Sequence, residues 1–266
     1  MLELFKKRNF SLFWFGEMIS VIGDQISLIA FPWLILQMTN SAALTGLVFA
    51  VQGIPRAVLM LAGGALVDRT SPRLMMIISN ALRLLLVFSL AYMISQDTAD
   101  ISIVFIMAFA FGVADAFFYP ASISILPSLV SRDELQAGNA IIQTTLHLGM
   151  TIGPFVAAFI IAGEIGSAAQ SAELVVSDSV LSAYDLDREG LARAFFIDGL
   201  TFALSLLSLL FVNVRKLNVE DETSSESSLF KEIRQASLWA WSIPAVRLGF
   251  IGMAVIHFFF MPMVFV

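Results

Sequence analysis

Seven continuous apolar runs, each about twenty residues or longer, constrain this chain more than any other feature. They lie near 10–36, 43–67, 74–95, 101–122, 138–162, 194–214 and 246–266. A bilayer core of roughly 30 Å takes about 20 helical residues to cross, so each run has the length of one crossing. Burial in a soluble core does not accommodate them. Hydrophobic residues make up 58% of the 266 and charged residues only 14%, with a mean hydropathy of +0.87, more apolar surface than a fold of that size encloses. In lipid only helices and closed barrels satisfy their own backbone. Barrel strands are segments of about ten residues with alternating polarity, and these runs do not alternate. The chain reads as an all-α membrane protein.

Several function classes drop out. There are no cysteines, hence no disulfide, thiolate metal site or cysteine nucleophile. His147 and His257 are the only imidazoles, too few for a histidine metal cluster. A formal charge of −6 argues against nucleic acid, whose phosphates need a basic surface. No G-x-x-x-x-G-K-[ST] loop is present, so no ATP hydrolysis is expected. No serine–histidine or paired-aspartate constellation marks an enzyme, and no cofactor is implied. The basic cluster Lys6-Lys7-Arg8 ahead of the first run resembles a signal peptide's start, but the run is too long and lacks a small-residue cleavage pattern. It is expected to remain as the first helix.

Basic residues set the expected orientation. With a cytoplasmic N-terminus, the inner segments hold ten: Lys6, Lys7, Arg8, Arg69, Arg73, Arg132, Arg215, Lys216, Lys231 and Arg234. The outer segments hold two, Arg188 and Arg193. Basic residues near helix ends resist translocation, so the N-terminus is expected inside. The outer turns 38–42 and 96–100 are short, predicting that the first four helices form two tight hairpins of packed neighbours. Residues 163–193 read as a solvated outer loop with room for a short helix, rich in acids from Glu164 to Glu189, the other reading being a substrate-recruiting element. Residues 215–245 read as a cytoplasmic linker: a Ser/Glu tract at 220–228 cannot pack a core, and the mixed stretch 229–241 suits an interfacial helix ended by Pro244. The expected domains are a six-helix bundle over 1–214, the linker over 215–245, and at 246–266 the first helix of a second bundle.

The inner turn between the second and third helices reads Gly63-Gly64-Ala65-Leu66-Val67-Asp68-Arg69-Thr70-Ser71-Pro72-Arg73. One reading is a positive-inside anchor. The stretch also resembles the G-x-L-x-D-R-x-G-R-[RK] signature of the major facilitator superfamily, which occupies the same turn. Gly64, Leu66, Asp68, Arg69 and Arg73 match, while Ser71 replaces a glycine and Pro72 an arginine. The first helix, from Arg8-Asn9-Phe10 through Gly16, Ser20, Gly23-Asp24 and Pro32-Trp33, is similar to the opening of the subgroup of macrolide and enterobactin exporters, as are Phe118-Tyr119-Pro120-Ala121 and Leu126-Pro127. Gly149 and Gly153 with Pro154 resemble the family's antiporter motif, with alanine in place of its final glycine. Four apart on one face, they also suit plain close packing, and Pro154 adds a kink.

The resemblance implies the N-terminal six-helix bundle of such a transporter plus the first helix of a truncated C-terminal bundle. It further implies a bacterial inner (plasma) membrane, a latch at Asp68, Arg69 and Arg73 closing against the second bundle, a small-molecule substrate and protons. The expected function is proton-coupled efflux of small amphipathic molecules of drug or siderophore type. The missing C-terminal bundle is expected to be needed for activity, and the other expectation is a transport-inactive or regulatory remnant.

Charges within the apolar runs are the candidate site, because an ionised group at mid-bilayer costs roughly 2.5–3.5 kcal/mol and so pairs or lines a wet cavity. Glu17 and Asp24 are seven apart and share a face with Ser20. At 1.5 Å per residue, Arg56 stands about 18 Å above Asp68 and Arg83 about 15 Å above Arg73, with Asp115 at similar depth. These five form either a structural ion-pair network or a cavity in which one acid carries a proton. A carboxyl beside a guanidinium stays ionised, so the carrier is the acid without an arginine partner. The order of candidacy is Asp24, Glu17, Asp115. Phe105, Phe109, Phe117 and Tyr119 are candidate cavity aromatics. Asp198 is expected near water at the outer end of the sixth helix, and His147 is expected as a hydrogen-bonded packing residue.

Overall fold

The computed structural model describes residues 2–162, 180–214, 239, 241–249 and 252, with backbone alone at 2, 61, 68, 162 and 180–187. Among the described residues every regular element is helical. After a 3-10 turn at Leu2–Lys6 come α1 (Arg8–Thr39), α2 (Ala42–Arg69), α3 (Pro72–Ser95), α4 (Ile101–Ile125), α5 (Leu135–Ala162) and α6 (Val180–Phe211). Each contains a stretch long and apolar enough to cross a membrane, six in all among the described residues. The chain divides into two compact units, Met1–Asn218 and Val219–Val266. All six helices belong to the first.

Local sequence explains the boundaries. α1 ends where Asn40 takes a left-handed conformation (φ 49°) and its N–H reaches Leu36 O at 2.7 Å, a geometry asparagine tolerates. Ser41 then caps α2, its hydroxyl accepting from Leu44 N. Pro72 opens α3 at the position where a missing N–H costs nothing. Asp100 caps α4 by accepting from Ser102 N at 2.8 Å, and Ser131 with Glu134 forms a capping box just before α5.

The sixth helix departs from the sequence reading. It starts at Val180, so Asp185, Asp187, Arg188, Glu189 and Arg193 lie on helix rather than in an outer loop. A hydropathy pattern sees only the membrane-crossing part, which begins at Arg188; the preceding turns, which carry Asp185 and Asp187, are too polar to register in it. Residues 163–179 lie outside the described residues.

Packing also differs from two simple hairpins. α3 and α4 pack together as expected, α1 and α2 touch less, and the most extensive contacts join α2 to α4, α3 to α6 and α1 to α6. Glycine permits this. A Cβ on Gly63 would lie 2.4 Å from Ala116 O, and one on Gly112 would lie 2.1 Å from Gln52 O, so α2 and α4 run backbone against backbone. The α3–α6 pair is pinned at both ends. Arg73 donates to Leu209 O and Leu210 O, both at 2.8 Å, capping α6, while Arg188 donates to Ile94 O at 3.0 Å and pairs with Asp97, capping α3.

Two of the three apolar clusters among the described residues sit on either side of the buried polar groups. One gathers Phe31, Phe111, Phe195 and Phe202 with Ile26 to Ile35 and Val87 to Ile94; its rings meet edge-on or tilted at 5.0–5.9 Å between centroids. The other, toward the end carrying Lys7 and Arg73, gathers Phe13, Val67, Met76, Phe118, Ile125 and Leu209. Between them lies a belt of buried polar groups.

In the second unit the helical residues 241–242 and 244–249 are separated by a bend at Ile243, immediately before Pro244. The Ser/Glu tract, most of the interfacial segment and the seventh run, with His257, lie outside the described residues.

Candidate functional site

Arg83 organises the polar belt. Its side chain is fully buried and donates to Asp24 Oδ1 at 2.9 Å on α1, to Asp115 Oδ1 at 3.1 Å on α4, and to Asn80 Oδ1 at 2.5 Å on its own helix. The guanidinium lies over two rings, its Cζ 3.9 Å from the Phe118 centroid and 4.5 Å from that of Phe202, distances at which ring faces favour the cation. Asp115 also receives Arg56 of α2 at 3.5 Å, and Arg56 reaches over Tyr119. Asn80 donates to Ser205 Oγ at 2.9 Å on α6. One network therefore ties α1, α2, α3, α4 and α6. All five sequence-identified charges meet around it, with different partners.

Asp24 and Asp115 both have arginine partners. Glu17 does not: it is buried beside Ser122, and its Oε2 has no hydrogen bond among the described residues, like Ser20 Oγ and Arg83 Nε. Of the three candidate acids, the one without an arginine partner among the described residues is thus Glu17, while Asp24, first in the order of candidacy, is paired.

A fourth acid joins them. Asp198 is completely buried rather than near water, accepting from the hydroxyls of Ser27 and Thr201. Its misplacement followed from the late start assigned to the sixth helix. A sequence signal was present. Asp198, Thr201, Ser205 and Ser208 are spaced three, four and three, as are Glu17, Ser20, Asp24 and Ser27; both series mark one helix face. The two stripes pack antiparallel. Gly23 lies against Thr201 and Asp198, Gly16 against Ser208 and Ser205, and Ser208 donates to Leu12 O. With Asp198 the belt holds four acids and two arginines, an excess of two carboxyls.

The fifth-helix motif packs on α1 at the same depth. A Cβ on Gly149 would meet Val21 Cγ1 at 2.3 Å and one on Gly153 would meet Gln25 at 2.4 Å. In the inner turn Gly64 has nothing within 4 Å of a Cβ position; the close-approach glycine is its neighbour Gly63. Leu66 packs on the apolar core, Arg69 is exposed, and Arg73 is engaged with α6. The side chain of Asp68 lies outside the described residues. Phe105 and Phe117 pack against the cores, Phe109 is half exposed, and His147 is exposed rather than packed.

The outward faces differ in their polar content. α3 and α6 expose Leu74, Ile78, Leu82, Leu85, Leu200, Leu204, Leu207 and Phe211, as a lipid-facing surface should. α5 exposes Gln136, Asn139, Gln143, His147 and Thr151 at intervals of three and four, a polar stripe that runs beside exposed Leu148, Met150, Ile152, Phe155 and Phe159. Arg56 on α2 is half exposed, Asp24 a third and Asp115 less, so the network opens outward.

The Major Facilitator Superfamily model matches residues 13–266. Among curated proteins, the chain is 30% identical over 166 residues to the multidrug efflux pump Tap of Mycolicibacterium fortuitum, covering 59% of this chain and 40% of that one. It is 23% identical over 248 residues to Tap of Mycobacterium tuberculosis H37Rv, covering 91% and 53%. It is 25% identical over 142 residues to the uncharacterised MFS-type transporter YvqJ of Bacillus subtilis, covering 53% and 34%. The chain thus spans between a third and about half of these relatives' lengths. No solved structure gives a significant match. The family model's span, the six crossing helices and the inner-turn motif agree: this chain belongs to the major facilitator superfamily, a family of multi-pass membrane transporters.

Proposed function

We propose that this bundle forms one wall of a proton-coupled efflux pathway for small amphipathic molecules in a bacterial inner membrane, working by alternating access against a second bundle. The observation that carries the reading is the polar stripe of α5 together with the outward opening of the Arg83 network. Side chains such as Gln143 and His147 at crossing depth are costly against lipid and suit a water-filled path. The efflux direction rests on likeness to the multidrug pump Tap, and a cytoplasmic N-terminus rests on the ten-to-two basic asymmetry.

Glu17 is the proton carrier in this scheme. It is buried without a cation of its own, next to Asp24, and a change in water access on alternation alters its charge without breaking an ion pair. Asp24 and Asp115 hold Arg83 in place. The inner turn is the latch, with Arg73 fixing the end of α6. The test is accumulation of a fluorescent drug in cells expressing the chain joined to the C-terminal bundle of a major-facilitator relative. Expression lowers accumulation, a protonophore restores it, and Glu17→Gln restores it without loss of membrane protein. Accumulation indifferent to expression and protonophore would remove transport by this chain; protonophore-sensitive efflux by the Glu17→Gln variant would remove Glu17 alone.

A further inference from the structure

The opening tripeptide Arg8-Asn9-Phe10 plays no part in that pathway. Phe10 is fully buried among Leu4, Leu126 and Val130, and Asn9 Oδ1 accepts from Asn213 N at 3.1 Å, just past α6. Arg8 does neither. Of the three consecutive cations, Lys6 pairs with Glu3 at 2.6 Å and Lys7 pairs with Glu134. Arg8 is exposed and has no acidic partner among the described residues.

It borders a pocket of about 420 Å³ lined by Phe5, Arg8, Ser11, Leu12, Trp14 and Phe15. The walls are held in place. Phe5 stands edge-on to Trp14 at 4.8 Å and to Phe10 at 5.8 Å, Trp14 Nε1 donates to Thr145 Oγ1 at 2.8 Å, and Ser11 Oγ donates to Phe5 O at 2.6 Å. Phe15 is half exposed beside it. A lone guanidinium above an aromatic and aliphatic wall, at the start of a membrane-crossing helix, matches a ligand with an anionic head and an apolar tail.

We propose that this pocket binds one anionic phospholipid, its phosphodiester on Arg8 and an acyl chain along Leu12 and Phe15. Net charge selects the anionic class, because a zwitterionic headgroup brings its own cation to the site. Arg132, exposed at the same end, adds to the attraction. Arginine also suits the geometry, offering several donors to two phosphate oxygens.

Native mass spectrometry of the full chain from micelles holding equal phosphatidylglycerol and phosphatidylcholine tests this. The expected result is one retained phosphatidylglycerol in preference to phosphatidylcholine. Arg8→Gln lowers that preference roughly fivefold, the effect of one basic residue near an anionic surface, and Arg8→Lys keeps most of it. Phe15→Ala weakens retention of both lipids and leaves their ratio unchanged. Equal retention of the two lipids by the unaltered chain, an undiminished preference in Arg8→Gln, or undiminished retention in Phe15→Ala would each overturn the assignment.

Discussion

The two outward surfaces of the bundle differ in what they ask of their surroundings. α3 and α6 turn leucine, isoleucine and phenylalanine outward, and their mid-helix polar residues Asn80, Arg83, Asp198, Thr201 and Ser205 turn inward. α5 differs: its glycines pack inward on α1, and its outward face carries a polar stripe beside Leu148, Ile152, Phe155 and Phe159. Under the proposed function, the direction in which a helix's few polar residues point separates a lipid anchor from a pathway wall.

Arg83→Met has the largest expected effect. It leaves Asp24, a third exposed, without a cation and Asp115 with Arg56 alone, a loss below the roughly 3–5 kcal/mol of a fully buried pair, read as a lower thermal midpoint in detergent. Adding Asp24→Asn and Asp115→Asn should restore part of it, because the cost comes from uncompensated charge. Next is a direct contest between the surfaces. Leu204→Arg on α6 should cost about 2.5–3.5 kcal/mol of insertion and reduce the amount of membrane-integrated protein, while His147→Arg on α5 should insert normally. Equal losses would erase the distinction between the faces.

Smaller in effect is a comparison of adjacent glycines. Gly63→Ala drives a methyl against Ala116 O and should destabilise by about 1–3 kcal/mol. Gly64→Ala meets open space and should stay within about 0.5 kcal/mol. Thermal unfolding of the two variants decides which glycine of the inner turn is structural.

Much of this was legible in the sequence. Runs of about twenty apolar residues marked α1 to α5 closely, because crossing a bilayer imposes length and composition. The seven-residue spacing of Glu17 and Asp24 placed both on one face before any coordinates. The start of α6 was not legible, since Asp185 to Glu189 are as compatible with a solvated loop as with a helix end, and the burial of Asp198 was lost with it. Nor could spacing within single helices assign Arg83 to Asp24 and Asp115 while leaving Glu17 alone. That division depends on how helices face one another, which here follows from glycines at 16, 23, 63 and 112. The stripe at 198, 201, 205 and 208 was readable, and would have signalled an inward polar face on the sixth helix.

Because the chain contains no cysteine, single cysteines can be introduced without background. Labelling with a membrane-impermeant thiol reagent at positions 143, 147 and 151 on α5, and at 85, 200 and 204 on α3 and α6, tests the pathway assignment most directly. The account predicts labelling on α5, blocked by a bulky transported drug, with none on α3 or α6. Labelling absent from α5, or equal on all three helices, would contradict it.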